Sequence, residues 1–324
     1  MKVLITGGAG FIGSNLARFL LDQGDTDHVR IVDDFSTGSR ANLQGLDVEL
    51  LETTILDDFA LLGAVRGVDS IVHLAAVPSV ARSITNPRAS HEANATGTLN
   101  VLEAAREASV EHVIVASSSS VYGANPVMPK EERTWTRPMS PYAVSKLATE
   151  AYTIAYQSSF GLKTLAFRFF NVYGPYQAAD HAYAAVIPRF LDAALRGRPV
   201  QIEGDGKQSR DFTYVDTLCQ VVHQALTRRI WSPDPINLAF GTNTDLLSLL
   251  GIVEEVVGHP VEREFIAPRP GDVHASQADS TRLHDLVTGI QPLDLRTGVA
   301  RTAEWLVGSI RKPSSRPDGS ATSL

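Results

Sequence analysis

Tyr142 and Lys146 stand four residues apart in the run SPYAVSK. On a helix they share one face, one turn apart. An ammonium group beside a phenol favours the phenolate, so the pair could form a general base that takes a hydroxyl proton near neutral pH. The same spacing arises by chance in many helices. Its weight here comes from the elements around it.

The first of these elements is the amino-terminal run TGGAGFIG. Lys2 to Thr6 (KVLIT) is a short apolar stretch of the kind that forms a buried parallel strand. Gly7, Gly10 and Gly13 follow, and Phe11 to Leu21 has the pattern of an amphipathic helix. Glycines in that context let the backbone turn tightly and approach a pyrophosphate, and the helix amino end favours its charge. A second strand, Val29 to Val32, ends in Asp33 and Asp34 about twenty residues on. An acidic residue there can hold a ribose 2′-hydroxyl and would repel a 2′-phosphate, which predicts NAD rather than NADP. The alternative for the Asp pair is a solvated turn.

The chain has 324 residues, 44% hydrophobic and 20% charged, enough for a large core and one or two domains. Its net charge of -7 argues against nucleic acid as the main partner, although local arginines can still bind an anionic nucleotide. Cys219 is the single cysteine, which excludes an internal disulfide and disfavours a cysteine metal site; no metal is expected. The amino terminus runs straight into a strand, and no apolar run reaches a membrane span. The default expectation is a cytoplasmic enzyme with no membrane contact.

Strand candidates at 2–6, 29–32, 48–51, 70–74, 112–116 and 163–168 alternate with helical stretches near 11–23, 57–64, 89–108 and 142–160. That alternation predicts an α/β fold: a Rossmann-type doubly wound parallel sheet. After Pro175 the rhythm loosens, and helices are expected near 183–196, 245–257 and 296–310. The expected division is a cofactor-binding domain over 1–171, with some later segments packing back on it, and a smaller α/β carboxy-terminal substrate lobe over 172–311. Residues 312–324 lack apolar periodicity and read as a disordered tail. Ligand is expected in the crevice between lobes, at the carboxyl ends of the strands.

With these residues in place, the chain resembles the extended short-chain dehydrogenase/reductases, specifically the NAD-dependent nucleotide-sugar epimerases and dehydratases. The markers, in order, are TGGAGFIG, DDFSTG (33–38), HLAA (73–76), ASSSSVYG (116–123), SPYAVSK, RFFNVYGP (168–175), GDGKQSRDFTYVD (204–216) and RPGDV (269–273). They span nearly the whole chain, roughly 1–310. The resemblance implies that Phe11, Ile12, Ile55, Leu74, Ala75 and Ala76 line the NAD site with the glycines and Asp33 and Asp34. One departure is Thr54, where the family usually has an Asp at the adenine. Adenine contact would then rest on the backbone around Thr54 and Ile55.

The family reaction opens with oxidation of a sugar hydroxyl. By the resemblance, Tyr142 takes the 4-hydroxyl proton, Lys146 lowers the phenol's pKa and holds the nicotinamide ribose, and Ser118 hydrogen-bonds the same sugar oxygen. Spacing alone does not choose among Ser117, Ser118, Ser119 and Ser120; the resemblance selects Ser118. Related dehydratases carry an Asp–Glu pair just after the catalytic hydroxyl residue, where this chain has Ser119 and Ser120. Elimination then lacks its acid, and the expected outcome is 4-epimerisation.

For the nucleotide end, the resemblance assigns Arg210 and Arg269 to the diphosphate, Asn171 to pyrophosphate or sugar, and Asp272 to the uridine ribose. Guanidinium forks suit phosphate geometry. Ser79 and Arg82 would line the sugar side, and Val186 lies in the substrate lobe's contribution. Asn94 is expected to cross-link the scaffold. AYAAVIPRF (182–190) and SVARS (79–83) look most like epimerases of UDP-N-acetylglucosamine. Ser276 matches the position whose bulk controls room beside the sugar 2-substituent, so an N-acetyl group should fit. UDP-glucose is a second expected substrate. UDP-glucuronate remains open, although Ala185 stands where some uronate relatives have an arginine, and TDP-sugars remain possible. The family's dimers pack the helices near 89–108 and 142–160 together, which implies a homodimer. Rival readings are a dehydratase using another acid, a non-catalytic NAD sensor, and a reductase exchanging NADH with solution; fold alone does not choose.

Overall fold

The computed structural model describes residues 1–179, 184–267 and 275–311. The six apolar runs of the first half form strands β1 Lys2–Thr6, β2 His28–Asp33, β3 Glu49–Glu52, β4 Ser70–His73, β5 His112–Ser118 and β6 Lys163–Phe169. Shorter strands follow: β7 Val172–Tyr173, β8 Val200–Glu203, β9 Ser209–Arg210, β10 Thr213–Tyr214, β11 Ile236–Leu238, β12 Thr244–Asp245, β13 Arg263–Ile266 and β14 Ala275–Ser276. The main sheet runs β11-β6-β5-β4-β1-β2-β3, and every pairing in it is parallel. The order reverses between β1 and β4, which opens a crevice at the carboxyl ends of those strands.

Helices cover both faces. α1 (Phe11–Leu21) and α8 (Val215–Thr227) pack on one face; α2 (Asp58–Val65), α5 (Gly97–Glu107) and α6 (Pro141–Phe160) pack on the other. Val3 and Ile5 of β1 point into the first layer and Leu4 into the second, all three fully buried. A strand covered on both faces must be apolar throughout, which is why KVLIT reads as a continuous run. Each such side chain contributes roughly 1.5–3 kcal/mol by leaving water.

The helix ends follow their local signals. Ser140 caps α6 by accepting from the Ala143 N–H at 3.1 Å, Pro141 opens the helix, and Gly161 closes it in the left-handed region. Asp57 caps α2 in the same way, from the Ala60 N–H at 3.0 Å.

The helix expected over 89–108 is a compound element. α3 (Val80–Thr85) and α4 (Pro87–His91) lead into a π turn, Glu92–Thr96, before α5 begins at Gly97. Two contacts fix this turn. Asn94 accepts from the Val77 N–H at 2.8 Å and donates to Ser145 Oγ at 2.9 Å. A Cβ on Gly97 would lie 2.3 Å from Ile55 Cδ1, so the helix and the loop after β3 touch there. Inserted residues of this kind leave only a weak trace in hydrophobic period.

The second half forms a lobe of α7 (Val186–Leu195), α9 (Leu246–Val257) and α11 (Leu295–Arg311) around β8 and β13, with Phe190, Leu249, Leu250, Val253 and Val299 buried inside. Between these segments the chain returns twice to the first sheet. α8 and β11 complete one face and one edge, and α10 (Thr281–Leu286) packs beside β11 with Leu283 in the same core.

Candidate active site

The glycine loop between β1 and α1 is tight because its neighbours leave no room. Gly7 has φ +72°, and a Cβ there would lie 2.7 Å from the Ala75 nitrogen. A Cβ on Gly13 would lie 2.3 Å from the Gly7 carbonyl oxygen. Gly10, the N-cap of α1, offers no side chain to the first helical amides. The helix end is left open to an anion. Asp33, at the end of β2, accepts from the Ala9 and Phe35 N–H groups, each at 2.8 Å. Burial raises its pKa, while those two donors oppose the shift. Asp34 is exposed and accepts from the Ser36 N–H at 2.9 Å, closing a local turn while still facing the crevice.

These residues open onto one cavity of about 830 Å³. Gly7, Gly10, Phe11, Ile12 and Gly13 line it, followed by Asp33, Asp34 and Ile55, then Leu74, Ala75 and Ala76. Thr54 lines it too, with its hydroxyl accepting from the Leu56 N–H at 3.3 Å. Ile55 is buried, and its carbonyl accepts from Asn100 at 3.2 Å, which fixes the loop. A glycine cradle that any Cβ would fill, an uncapped helix end and an acidic residue at the second strand fit a dinucleotide without a 2′-phosphate.

The chemistry-bearing residues lie further along the same cavity. α6 carries Tyr142, Lys146 and Glu150 on successive turns and lies against the end of β5. Lys146 is buried, donates to the Ala116 carbonyl at 2.8 Å, and is pushed down to about 8 by desolvation. Tyr142 lies beside Ser118, the hydroxyl that the resemblance had selected from four. Burial raises the phenol's pKa, and the opposing pull comes from Ser118. In the protein alone the Lys146 ammonium is turned to the Ala116 carbonyl. Ser118 also accepts from the Ser120 N–H at 3.2 Å, as the cap of a short 3-10 turn. Ser119 and Ser120 line the cavity. The carboxylates lining it among the described residues are Asp33 and Asp34, at the opposite end.

Toward the second lobe, Ser79, Arg82, Asn171, Arg210 and Ser276 all line the cavity. Ser79 also caps α3, accepting from the Arg82 N–H at 3.1 Å. Asn171 has φ +26° and donates to the Asp211 carbonyl at 3.0 Å. Val186 lies in a smaller adjoining recess of about 220 Å³, which shares Asn171 and Arg210 with the main cavity. Arg269 and Asp272 lie outside the described residues, as do Ala182, Tyr183 and the tail.

Sequence reasoning missed several residues. Asp211, fully buried, accepts from the Gly241 N–H at 3.0 Å, Thr242 Oγ1 at 2.8 Å and the Ala278 N–H at 3.2 Å. It joins the segments that carry Arg210 and Ser276; its place next to Arg210 was the available signal. Lys130, Tyr176 and Trp305 line the cavity without a motif to announce them. Glu150 holds Arg168 in a buried ion pair, and its spacing four residues beyond Lys146 was visible. Asn94 cross-links the scaffold, as expected.

Known proteins resemble this chain. Residues 3–239 match the model of the NAD dependent epimerase/dehydratase family. A UDP-glucose 4-epimerase of Mycolicibacterium smegmatis is 38% identical, covering 94% of this chain and 98% of its own. A probable UDP-glucuronate 4-epimerase of Rhizobium meliloti is 34% identical, covering 96% and 98%. A solved UDP-N-acetylglucosamine 4-epimerase from Methanobrevibacter ruminantium, in complex with UDP-N-acetylmuramic acid, superposes with a TM-score of 0.90 at 33% identity, over 95% of this chain and 98% of that one. With its Rossmann-type sheet, its dinucleotide cradle and its Ser–Tyr–Lys cluster, this chain belongs to the NAD dependent epimerase/dehydratase family.

Proposed function

We propose that the protein is a 4-epimerase of UDP-hexoses, acting on UDP-N-acetylglucosamine and UDP-N-acetylgalactosamine and also on UDP-glucose and UDP-galactose. The observation that carries this reading is the Ser118–Tyr142 hydroxyl pair over Lys146, in a cavity whose sugar end has no carboxylate among its described lining residues. The glycine loop and Asp33 hold NAD on the first lobe, and the 172–311 lobe holds the nucleotide sugar.

The chemistry supplied by bound NAD is reversible hydride acceptance at a sugar carbon. Tyr142 takes the proton of the sugar 4-hydroxyl as that carbon is oxidised, and Ser118 hydrogen-bonds the same oxygen. Lys146 supplies positive charge beneath the phenol and a donor for the nicotinamide ribose. Serines at 119 and 120 cannot protonate a leaving 6-hydroxyl, so the 4-keto sugar stays intact. It turns in the cavity, is reduced on its other face, and Tyr142 returns the proton. Arg210 pairs with the diphosphate, with Arg269 as its expected companion, and the recess beside Val186 takes the base.

A second reading is UDP-glucuronate, supported by the similarity to the Rhizobium meliloti protein. Ala185 at the cavity wall offers no cation for a carboxylate, which favours the neutral sugars. A homodimer through α5 and α6 completes the proposal. Val144, Tyr152 and Phe160 of α6 are exposed large apolar residues.

The test is to incubate the purified protein, without added cofactor, with each of UDP-N-acetylglucosamine, UDP-glucose and UDP-glucuronate, and to follow the anomeric protons by NMR. Galacto products from the first two support the reading. Turnover of UDP-glucuronate alone moves the assignment to the uronate. A new keto or alkene signal makes the protein a dehydratase.

A further inference from the structure

The end of β5 is gripped at three consecutive residues by three successive turns of α6. Lys146 donates to the Ala116 carbonyl at 2.8 Å, Tyr142 lies beside the Ser118 side chain, and Glu150 accepts from Ser117 Oγ at 3.0 Å. The third grip lies outside the proposed chemistry and is fully buried. Glu150 also accepts from Arg168 Nε at 2.9 Å, and the two side chains are 5% and 3% exposed. Arg168 stands in register with Ser117 on the neighbouring strand β6. Its third nitrogen donates to the Glu132 carbonyl at 3.0 Å, and its guanidinium lies 4.6 Å from the centre of the Tyr122 ring. One carboxylate therefore ties together α6, the strand end that carries Ser118 and the strand that leads into Asn171.

A buried ion pair is a weak source of stability, because desolvation offsets most of its attraction. Its directional hydrogen bonds, however, fix geometry. The Ser117 hydroxyl carries the side-chain hydrogen bond from this pair to the strand end at Ser118. We infer that Glu150 and Ser117 are positioning residues, which lock the Ser118 hydroxyl into register with Tyr142. The inference rests on the proposed roles of Ser118 and Tyr142. Glu150 is not among the residues lining the cavity, and Ser117, which does border it, has its hydroxyl turned away to Glu150.

The test compares Ser117→Ala, Ser117→Thr and the double variant Glu150→Leu/Arg168→Met with the parent protein. The double variant removes both charges together, so no lone buried charge unfolds the chain. Three quantities are read: kcat and KM on the accepted UDP-sugar, NAD binding by calorimetry, and the ionisation of Tyr142 by ultraviolet difference titration against Tyr142→Phe. In the expected result Ser117→Ala and the double variant stay folded and keep NAD affinity and KM. They lose roughly ten- to a hundred-fold in kcat, and their Tyr142 midpoint rises as the Ser118 hydrogen bond loosens. Ser117→Thr, which keeps the hydroxyl, restores kcat. The inference is overturned by folded variants with the parental kcat and an unchanged Tyr142 midpoint. If the parent turns over no nucleotide sugar, the functional reading fails, and the Tyr142 titration alone decides the positioning roles.

Discussion

Ser276 is the strand neighbour of Arg210. The two pair in register where β14 runs parallel to β9, and both line the cavity. Paired strands lie about 4.8 Å apart, so the residue proposed to stand beside the sugar and the arginine proposed for the diphosphate are set by one ladder. Asp211 fastens that ladder from behind, through the Ala278 and Gly241 N–H groups.

Bulk at position 276 is expected to act first on the sugar 2-substituent. Ser276→Tyr is expected to lower kcat/KM on UDP-N-acetylglucosamine by about ten- to a hundred-fold while UDP-glucose turnover changes little. Equal losses on the two substrates, measured by coupled assay or NMR, would remove Ser276 from the specificity account.

The glycine loop makes a prediction about cofactor. Gly13→Ala places a methyl 2.3 Å from the Gly7 carbonyl oxygen, and Gly7→Ala adds a positive φ to a 2.7 Å clash. Both variants should lose NAD affinity and about 1–3 kcal/mol of stability. Gly63→Ala, where nothing lies within 4 Å, is the matched control on α2 and should leave NAD affinity unchanged while raising stability by about 0.5–1 kcal/mol. Calorimetry with NAD and a thermal melt report the two effects separately.

The first lobe was legible because its signals are local. KVLIT, the spaced glycines, Ser140 before Pro141 and the Tyr142–Lys146 spacing each describe a few neighbouring residues. What sequence reasoning missed depends on distant partners. The π turn at Asn94 is set by Val77 and Ser145, and β11 becomes a strand through pairing with β6. Lys130 reaches the cavity wall because its backbone bridges to Gln277 and Asp279 across the second lobe. The pKa of Tyr142 shows the same limit. Spacing put Lys146 on its face, but only the fold shows the ammonium turned to Ala116.

The exposed face of α6 predicts the assembly. Val144 is 52% exposed and Tyr152 40%, two turns apart on one side of a twenty-residue helix. If this face meets a second copy, Val144→Asp/Tyr152→Asp should give a monomer in light scattering with the cavity residues untouched. A parent protein that already runs as a monomer would dismiss the interface.

His73 predicts the acid limb of stability. It sits between Thr6 Oγ1 at 2.7 Å and Thr98 Oγ1 at 3.0 Å, and is pushed down to about 3 by burial first and by Lys146 second. The unfolded chain binds this proton at an ordinary 6.5. Between pH 6.5 and about 3 the unfolded state holds the extra proton, so stability falls as pH falls through that window. The slope from this one group approaches about 1.4 kcal/mol per pH unit. His73→Gln can keep both hydroxyl contacts and should flatten the slope in denaturant titrations run across the window.

Lys146 ties activity and stability to the same proton. Its ammonium is pushed from 10.5 to about 8 because it is desolvated beneath the cavity. Above pH 8 the folded protein sheds this charge, and a phenol that needs a cation nearby loses it. Turnover should therefore decline on the alkaline side of 8. Stability runs the other way. Between about 8 and 10.5 the unfolded chain binds the proton that the folded chain has lost, so stability from this group rises with pH. Below 8 the folded protein carries the full cost of a buried ammonium. Lys146→Met removes that cost and should melt higher than the parent at neutral pH in the absence of NAD, with turnover lost. Above pH 10.5 the two melts should converge. A Lys146→Met protein that melts lower than the parent at pH 7 would show that the bond to the Ala116 carbonyl outweighs the desolvation of the charge.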